Sequence, residues 1–151
     1  AGPEHWRRVL AEEVDAALYL IPLVLPGMRE RRWGRIILTG GLDADDWREG
    51  WPLDYPLGKA SRHWLVRSLA RQEFRHGITV NGIAPGEVPY VELDEALADL
   101  ARGDAWRARA GPRPQDAGEI AAFLCSEAAR FVSGAVINLV TPESEGWRGA
   151  R

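Results

Sequence analysis

The strongest constraint in this sequence is an alternation of two hydrophobic periods. Short apolar runs at 35–39, 78–83 and 134–140 are separated by longer stretches whose apolar residues recur at helical spacing. Runs that are apolar on both faces suit strands buried in a sheet covered by helices. Strand-like and helix-like segments in alternation predict an α/β layer fold with a parallel sheet and right-handed crossovers. The expected elements are helix 5–28, strand 35–39, helix 55–75, strand 78–83, helix 91–102, helix 114–130 and strand 134–140.

Each helix offers a packing face. Trp6, Val9, Leu10, Val14, Ala17, Leu18 and Ile21 form the first, and Leu57, Ala60, Trp64, Leu65 and Leu69 the second. Leu93, Ala96, Leu97, Leu100 and Ala101 form the third, and Cys125 reads as a small core residue on the fourth. Pro22 lies within the first helix, where its missing N–H predicts a kink. Gly77 closes the second helix, and Pro85-Gly86 is expected to stop the middle strand.

Composition excludes several classes. The 151 residues are 46% hydrophobic and 27% charged, which is a globular composition. A net charge of −3 argues against nucleic acid or an anionic membrane as a partner. The cluster Arg29, Arg31, Arg32 and Arg35 therefore reads as a solvated helix end, where cations suit the dipole. One cysteine and three scattered histidines predict neither a disulfide framework nor a metal site. The apolar stretch 16–28 holds two prolines and is too short to span a bilayer, so the expected location is cytoplasmic. The chain begins at Ala1, which fits either a removed initiator methionine or a piece of a longer protein.

Lys59 is the sole lysine among eighteen arginines, and it stands four residues after Tyr55 on the predicted second helix. That spacing puts phenol and ammonium on one helix face. A nearby cation favours the phenolate and lowers a tyrosine's titration toward neutral pH, giving a usable acid/base. Alone, the pair is weak evidence and better describes a solvated lysine beside a half-buried tyrosine.

The surrounding motifs supply context. Tyr55-Pro56-Leu57-Gly58-Lys59-Ala60-Ser61, Leu69-Ala70-Arg71-Gln72-Glu73 and Gly77-Ile78-Thr79-Val80-Asn81-Gly82-Ile83-Ala84-Pro85-Gly86 resemble the short-chain dehydrogenase/reductase family. Residues 6–28, Gly34-Arg35-Ile36-Ile37 and residues 113–134 extend the likeness in order across nearly the whole chain, which is most similar to the 3-oxoacyl-[acyl-carrier-protein] reductase type. The resemblance implies the C-terminal part of a Rossmann-like doubly wound sheet, with NAD or NADP as cofactor and a small carbonyl/alcohol substrate. It implies that Tyr55 exchanges a proton with substrate and that Lys59 lowers its titration and holds the nicotinamide ribose. Pro85, Gly86 and Val88 would flank the nicotinamide. The helix at 91–102 would cover the substrate, with Trp47 and Trp51 at the pocket wall. The helices at 5–28 and 55–75 would form a homo-oligomer.

Several positions depart from the family pattern. The catalytic serine is expected at Gly41, which has no hydroxyl; Thr39, two residues earlier, is the alternative. The family's asparagine, which orders a relay water, falls at Glu13, and Tyr90 stands where a threonine is expected after Pro-Gly. No G-x-G-x-x-G occurs, so the phosphate-binding turn of a dinucleotide fold is missing and the N-terminal dinucleotide-binding half is expected to be absent from this chain. Two readings stand: the catalytic portion of an oxidoreductase whose full-length parent is active, and a non-catalytic remnant that serves as an assembly or binding subunit.

Overall fold

The computed structural model describes residues 2–42, 44–45, 52–86, 88–103, 107 and 111–140. Three parallel strands, β1 (Gly34–Thr39), β2 (Ile78–Pro85) and β3 (Val136–Leu139), form a sheet in the order β1-β2-β3. Gly34 through Thr39 register with Ile78 through Ile83, and Gly82 through Pro85 with Val136 through Leu139. β2 is central and buried from Ile78 to Ala84, which explains its unbroken apolar run.

The first helix is longer than expected and is built in three parts. These are α1 (Pro3–Leu10), a π-helical segment (Ala11–Asp15) and α2 (Ala16–Arg31). The helix continues through Pro22, the expected kink, and through Pro26; both rings are exposed, leaving the carbonyls they orphan open to water. The irregularity lies upstream, in the π segment. α3 (Asp54–Glu73) follows the loop after β1 and ends in a 3-10 turn (Phe74–His76). Ile21 and Leu25 of α2 and Val66 and Ala70 of α3 pack with Ile36, Ile78 and Val80 of the sheet to form the core.

The inward face of α3 is the expected one only in part: Leu69 packs against the core. Gly58, His63, Val66, Ala70 and Glu73 are buried, whereas Leu57 and Trp64 are exposed. Two polar groups can be buried there because each has partners. Glu73 receives Arg29 Nε at 2.8 Å and Nη2 at 2.5 Å, tying the end of α2 to the end of α3. His63 is held by the loop after β1, as described below. Arg35, the other member of the arginine cluster with a defined role, lies over Trp33 at 4.9 Å and donates to Gly34 O at 2.9 Å.

α4 (Leu93–Ala101) also departs from expectation. Leu93, Leu97 and Leu100 point outward, while Asp99 is buried with Arg102 Nη1 at 3.6 Å. α5 (Pro114–Cys125) stops short of residue 130 because Ser126 turns extended and its hydroxyl donates to Phe123 O; a 3-10 turn (Glu127–Ala129) follows. Cys125 is exposed rather than in the core, because it is the last residue of that helix. The loop before β3 is fixed by buried Asn81, which donates to Val132 O at 2.8 Å and accepts from Ala135 N–H at 3.2 Å. No helix among the described residues is long and apolar enough to cross a membrane, and no metal-ligand cluster occurs among them.

Candidate active site

Parallel strands present their C-terminal ends to one edge of the sheet, the usual place for ligands in such folds. Here that edge carries Gly40-Gly41 after β1 and Pro85-Gly86 at the end of β2. β2 continues through Pro85, beyond the expected stop, because proline's carbonyl is what the pairing uses: Leu42 N–H donates to Pro85 O at 3.2 Å. Gly86 N–H donates to Leu139 O at 3.0 Å, and Val88 N–H folds back onto Gly86 O at 2.9 Å. Tyr90 is exposed.

α3 begins beside this edge. Asp54 Oδ1 accepts the Tyr55 N–H at 2.8 Å, and His5 Nε2 lies 2.5 Å from Asp54 Oδ2, docking α1 onto the start of α3. The Tyr55 N–H and the His5 side chain hold the Asp54 carboxyl below its ordinary range. Tyr55 itself is 52% exposed. One turn on, Lys59 Nζ stands 5.2 Å from the centroid of the Tyr55 ring. A Cβ built at Gly41 would lie 2.9 Å from Lys59 Cγ and 3.4 Å from Tyr55 Oη. The structure therefore brings together positions 41, 55 and 59.

Glu13 joins them. Its Oε2 is 3.0 Å from Lys59 Nζ and 3.2 Å from Arg62 Nη2. This arrangement reverses the expectation for the phenol. Partial burial pushes the Tyr55 titration up, and the Glu13 charge adds to that, against a lowering by Arg62. Thr39 contributes its carbonyl rather than its hydroxyl, accepting from Arg62 Nη1 at 2.8 Å.

Sequence reasoning did not reach three features of this site. The first is the π segment that carries Glu13; its i→i+5 spacing takes carbonyls off the regular ladder, and such segments often mark functional sites. The second is Arg62, which donates from Nε to Glu13 O at 2.5 Å and from Nη2 to Glu12 O at 3.1 Å. The third is His63, whose buried ring occupies the place of a side chain at Gly40, where a Cβ would fall 2.1 Å from Nε2. Gly41 N–H donates to that nitrogen at 3.4 Å, and Nδ1 lies 3.0 Å from Asp45 Oδ2, so these partners place the proton on Nδ1. Burial pushes the Asp45 carboxyl up, but bonds from His63 and Arg67 outweigh it and hold the group below its ordinary range.

The residues present fit the nicotinamide-ribose end of a dinucleotide. Gly41 brings backbone without a side chain beside Tyr55 and Lys59, and Pro85-Gly86 ends the neighbouring strand at the same edge, while the sequence contains no glycine-rich phosphate turn. Trp47 and Trp51, expected at the pocket wall, lie outside the described residues. A separate groove of about 600 Å³ runs along the later turns of α3, lined by Arg67, Arg71, Phe74, Phe131 and their neighbours, and contains none of these groups.

Comparison with known proteins gives consistent results. A family model described as enoyl-(acyl carrier protein) reductase matches residues 1–139. The 3-oxoacyl-[acyl-carrier-protein] reductase FabG of Pseudomonas aeruginosa is 31% identical over 137 residues, covering 89% of this chain and 55% of that protein. The D-beta-hydroxybutyrate dehydrogenase of Cupriavidus necator is 29% identical over 157 residues, covering 91% of this chain and 58% of that protein. Among solved structures, a 3-oxoacyl-[acyl-carrier protein] reductase with bound NAD from Brucella melitensis superposes with TM-score 0.73 at 26% identity, over 92% of this chain and 52% of that one. The chain thus spans about half the length of the relatives it matches.

Proposed function

The chain belongs to the short-chain dehydrogenase/reductase family, and we propose that it carries the catalytic edge of an NAD(P)-dependent oxidoreductase acting on a small carbonyl/alcohol pair. The observation that carries this reading is the meeting of Tyr55, Lys59 and position 41 at the C-terminal edge of the sheet. The bound cofactor would supply or accept a hydride at the substrate carbon. In the reducing direction Tyr55 delivers its Oη proton to the carbonyl oxygen, and the phenol form, favoured by the raised titration, is the form that can donate. Lys59 lies next to the ring to hold the ribose, with Pro85, Gly86 and the backbone at Val88 flanking the nicotinamide. Gly41 contributes no hydroxyl, so proton transfer rests on Tyr55.

The test is NAD(P)H oxidation by the full-length protein with ketone and 3-oxoacyl thioester substrates. Tyr55→Phe should lower kcat about 100- to 10,000-fold, the usual worth of a positioned acid. Hydride transfer that survives both Tyr55→Phe and Lys59→Arg refutes the assignment.

A second reading has specific support: Lys59 is engaged by Glu13, and position 41 lacks the hydroxyl. On that reading the protein is a binding or assembly subunit, and cofactor titration separates the two, since clear NAD(P)H binding counts against a remnant. The exposed Leu18, Tyr19, Leu20, Leu23 and Val24 of α2, with Leu57 and Trp64 of α3, support a homo-oligomer through these helices, which sedimentation velocity tests. The proposed location is the cytoplasm.

A further inference from the structure

Three features of α3 accommodate one carboxylate from the π segment. Gly58 leaves space for it: a Cβ there would fall 2.6 Å from Glu13 Cγ and 2.8 Å from Glu13 Cβ, so a larger residue would evict the glutamate stem. Arg62 grips the backbone that carries it, at Glu12 O and Glu13 O. Lys59 then meets the carboxylate, with side chains 13% and 18% exposed respectively, where an ion pair is only partly screened.

We propose that Glu13 is a positioning residue that sets the charge state of Tyr55 by competing with the phenolate for the Lys59 ammonium. An ammonium 3.0 Å from a carboxylate has its charge largely compensated, so it offers little to a phenolate at the ring's edge. The resting site is therefore held in the phenol form, and whatever draws Lys59 from Glu13 favours ionisation. Among the described residues, the charged and titratable groups around the phenol are Asp54, Lys59 and Arg62 from α3, Glu13 from the π segment, and His5 from α1, which pairs with Asp54; position 41 brings none. Glu13 also acts on the phenol directly, its charge adding to burial in pushing the Tyr55 titration up, and a Lys59→Met background separates that direct effect from the competition. The assignment rests on reading Tyr55 as the acid/base of the site.

The test is a spectroscopic pH titration of tyrosinate in the full-length protein, with Tyr55 isolated by subtracting the Tyr55→Phe curve. Glu13→Gln should move the Tyr55 midpoint down by on the order of 1 pH unit, the scale of an opposite charge freed within a few ångströms. Gly58→Ser, which displaces the same carboxylate by contact, should move it the same way and serves where Glu13→Gln does not fold. In a Lys59→Met background the Glu13→Gln shift should shrink to less than half. The proposal is overturned by an unchanged or raised midpoint in the Glu13→Gln protein, or by an equal shift without Lys59. The readout needs neither cofactor nor turnover, so a protein lacking dehydrogenase activity still reports on Glu13, and the two readings fail separately.

Discussion

Replacing Arg62 by methionine keeps the aliphatic stem and removes the fork that joins three elements. The fork donates to Glu13 O at 2.5 Å, Thr39 O at 2.8 Å and Glu12 O at 3.1 Å. The bonds to Thr39 and Glu12 are solvent-exposed, so water can replace the donor and each contributes about 0.5 kcal/mol. The bond to Glu13 O is partly buried and charge-assisted, contributing about 1.5 kcal/mol. Arg62→Met should therefore destabilise by about 2–3 kcal/mol. In urea unfolding that is a midpoint lower by about 1–2 M at unchanged slope. Arg71→Met is the control. Arg71 is exposed on the same helix without a hydrogen bond or ion pair among the described residues, so its loss should stay within about 0.5 kcal/mol. Equal midpoints for the two variants would refute the clamp.

Two further predictions concern stability. Arg29→Met strands the buried Glu73 carboxylate and should cost about 2 kcal/mol at neutral pH by chemical denaturation. Glu73 is held below its ordinary range by Arg29, so its contribution is present above the unfolded value and lost as pH falls through the folded one; Arg29→Met should flatten that acid limb, and a parallel acid limb would contradict the pairing. Gly40→Ala drives a methyl into the His63 ring at 2.1 Å from Nε2 and should lower Tm by about 4–8 °C through overpacking; an unchanged Tm would show that the ring yields freely.

The sheet was legible because a strand buried on both faces must be apolar throughout, as in the run from Ile78 to Ala84. The pairing of Tyr55 with Lys59 was legible for a similar reason, since i,i+4 spacing on a helix is a geometric fact of the backbone, whereas position 41 was reached only through the family resemblance. The packing face of α3 was not, because Trp64 and Leu57 satisfy the helical period as well as Val66 and Ala70 do. What decides between them is the burial of His63 and Glu73, and their partners Asp45 and Arg29 come from distant segments. The direction in which the Tyr55 titration moves was not legible either, since a pair four residues apart says nothing about how far the phenol is buried, nor about the charge that Glu13 brings from another helix.

The π segment between α1 and α2 has a consequence for how this chain can vary. Each helical residue turns the chain by about 100°, so one residue more or less rotates everything upstream by that angle and shifts it by about 1.5 Å. With the π turn in place, His5 faces Asp54 and Glu13 faces Lys59 while α2 keeps Ile21 and Leu25 on the core. A π turn holds one residue more than an α turn, so a single deletion within Ala11–Asp15 can be taken up by closing that turn to regular α-helix, at the cost of the bulge that carries Glu13. A deletion in α2 between that turn and the core contacts has no such reserve, and would turn the whole amino-terminal arm by about 100° against α3.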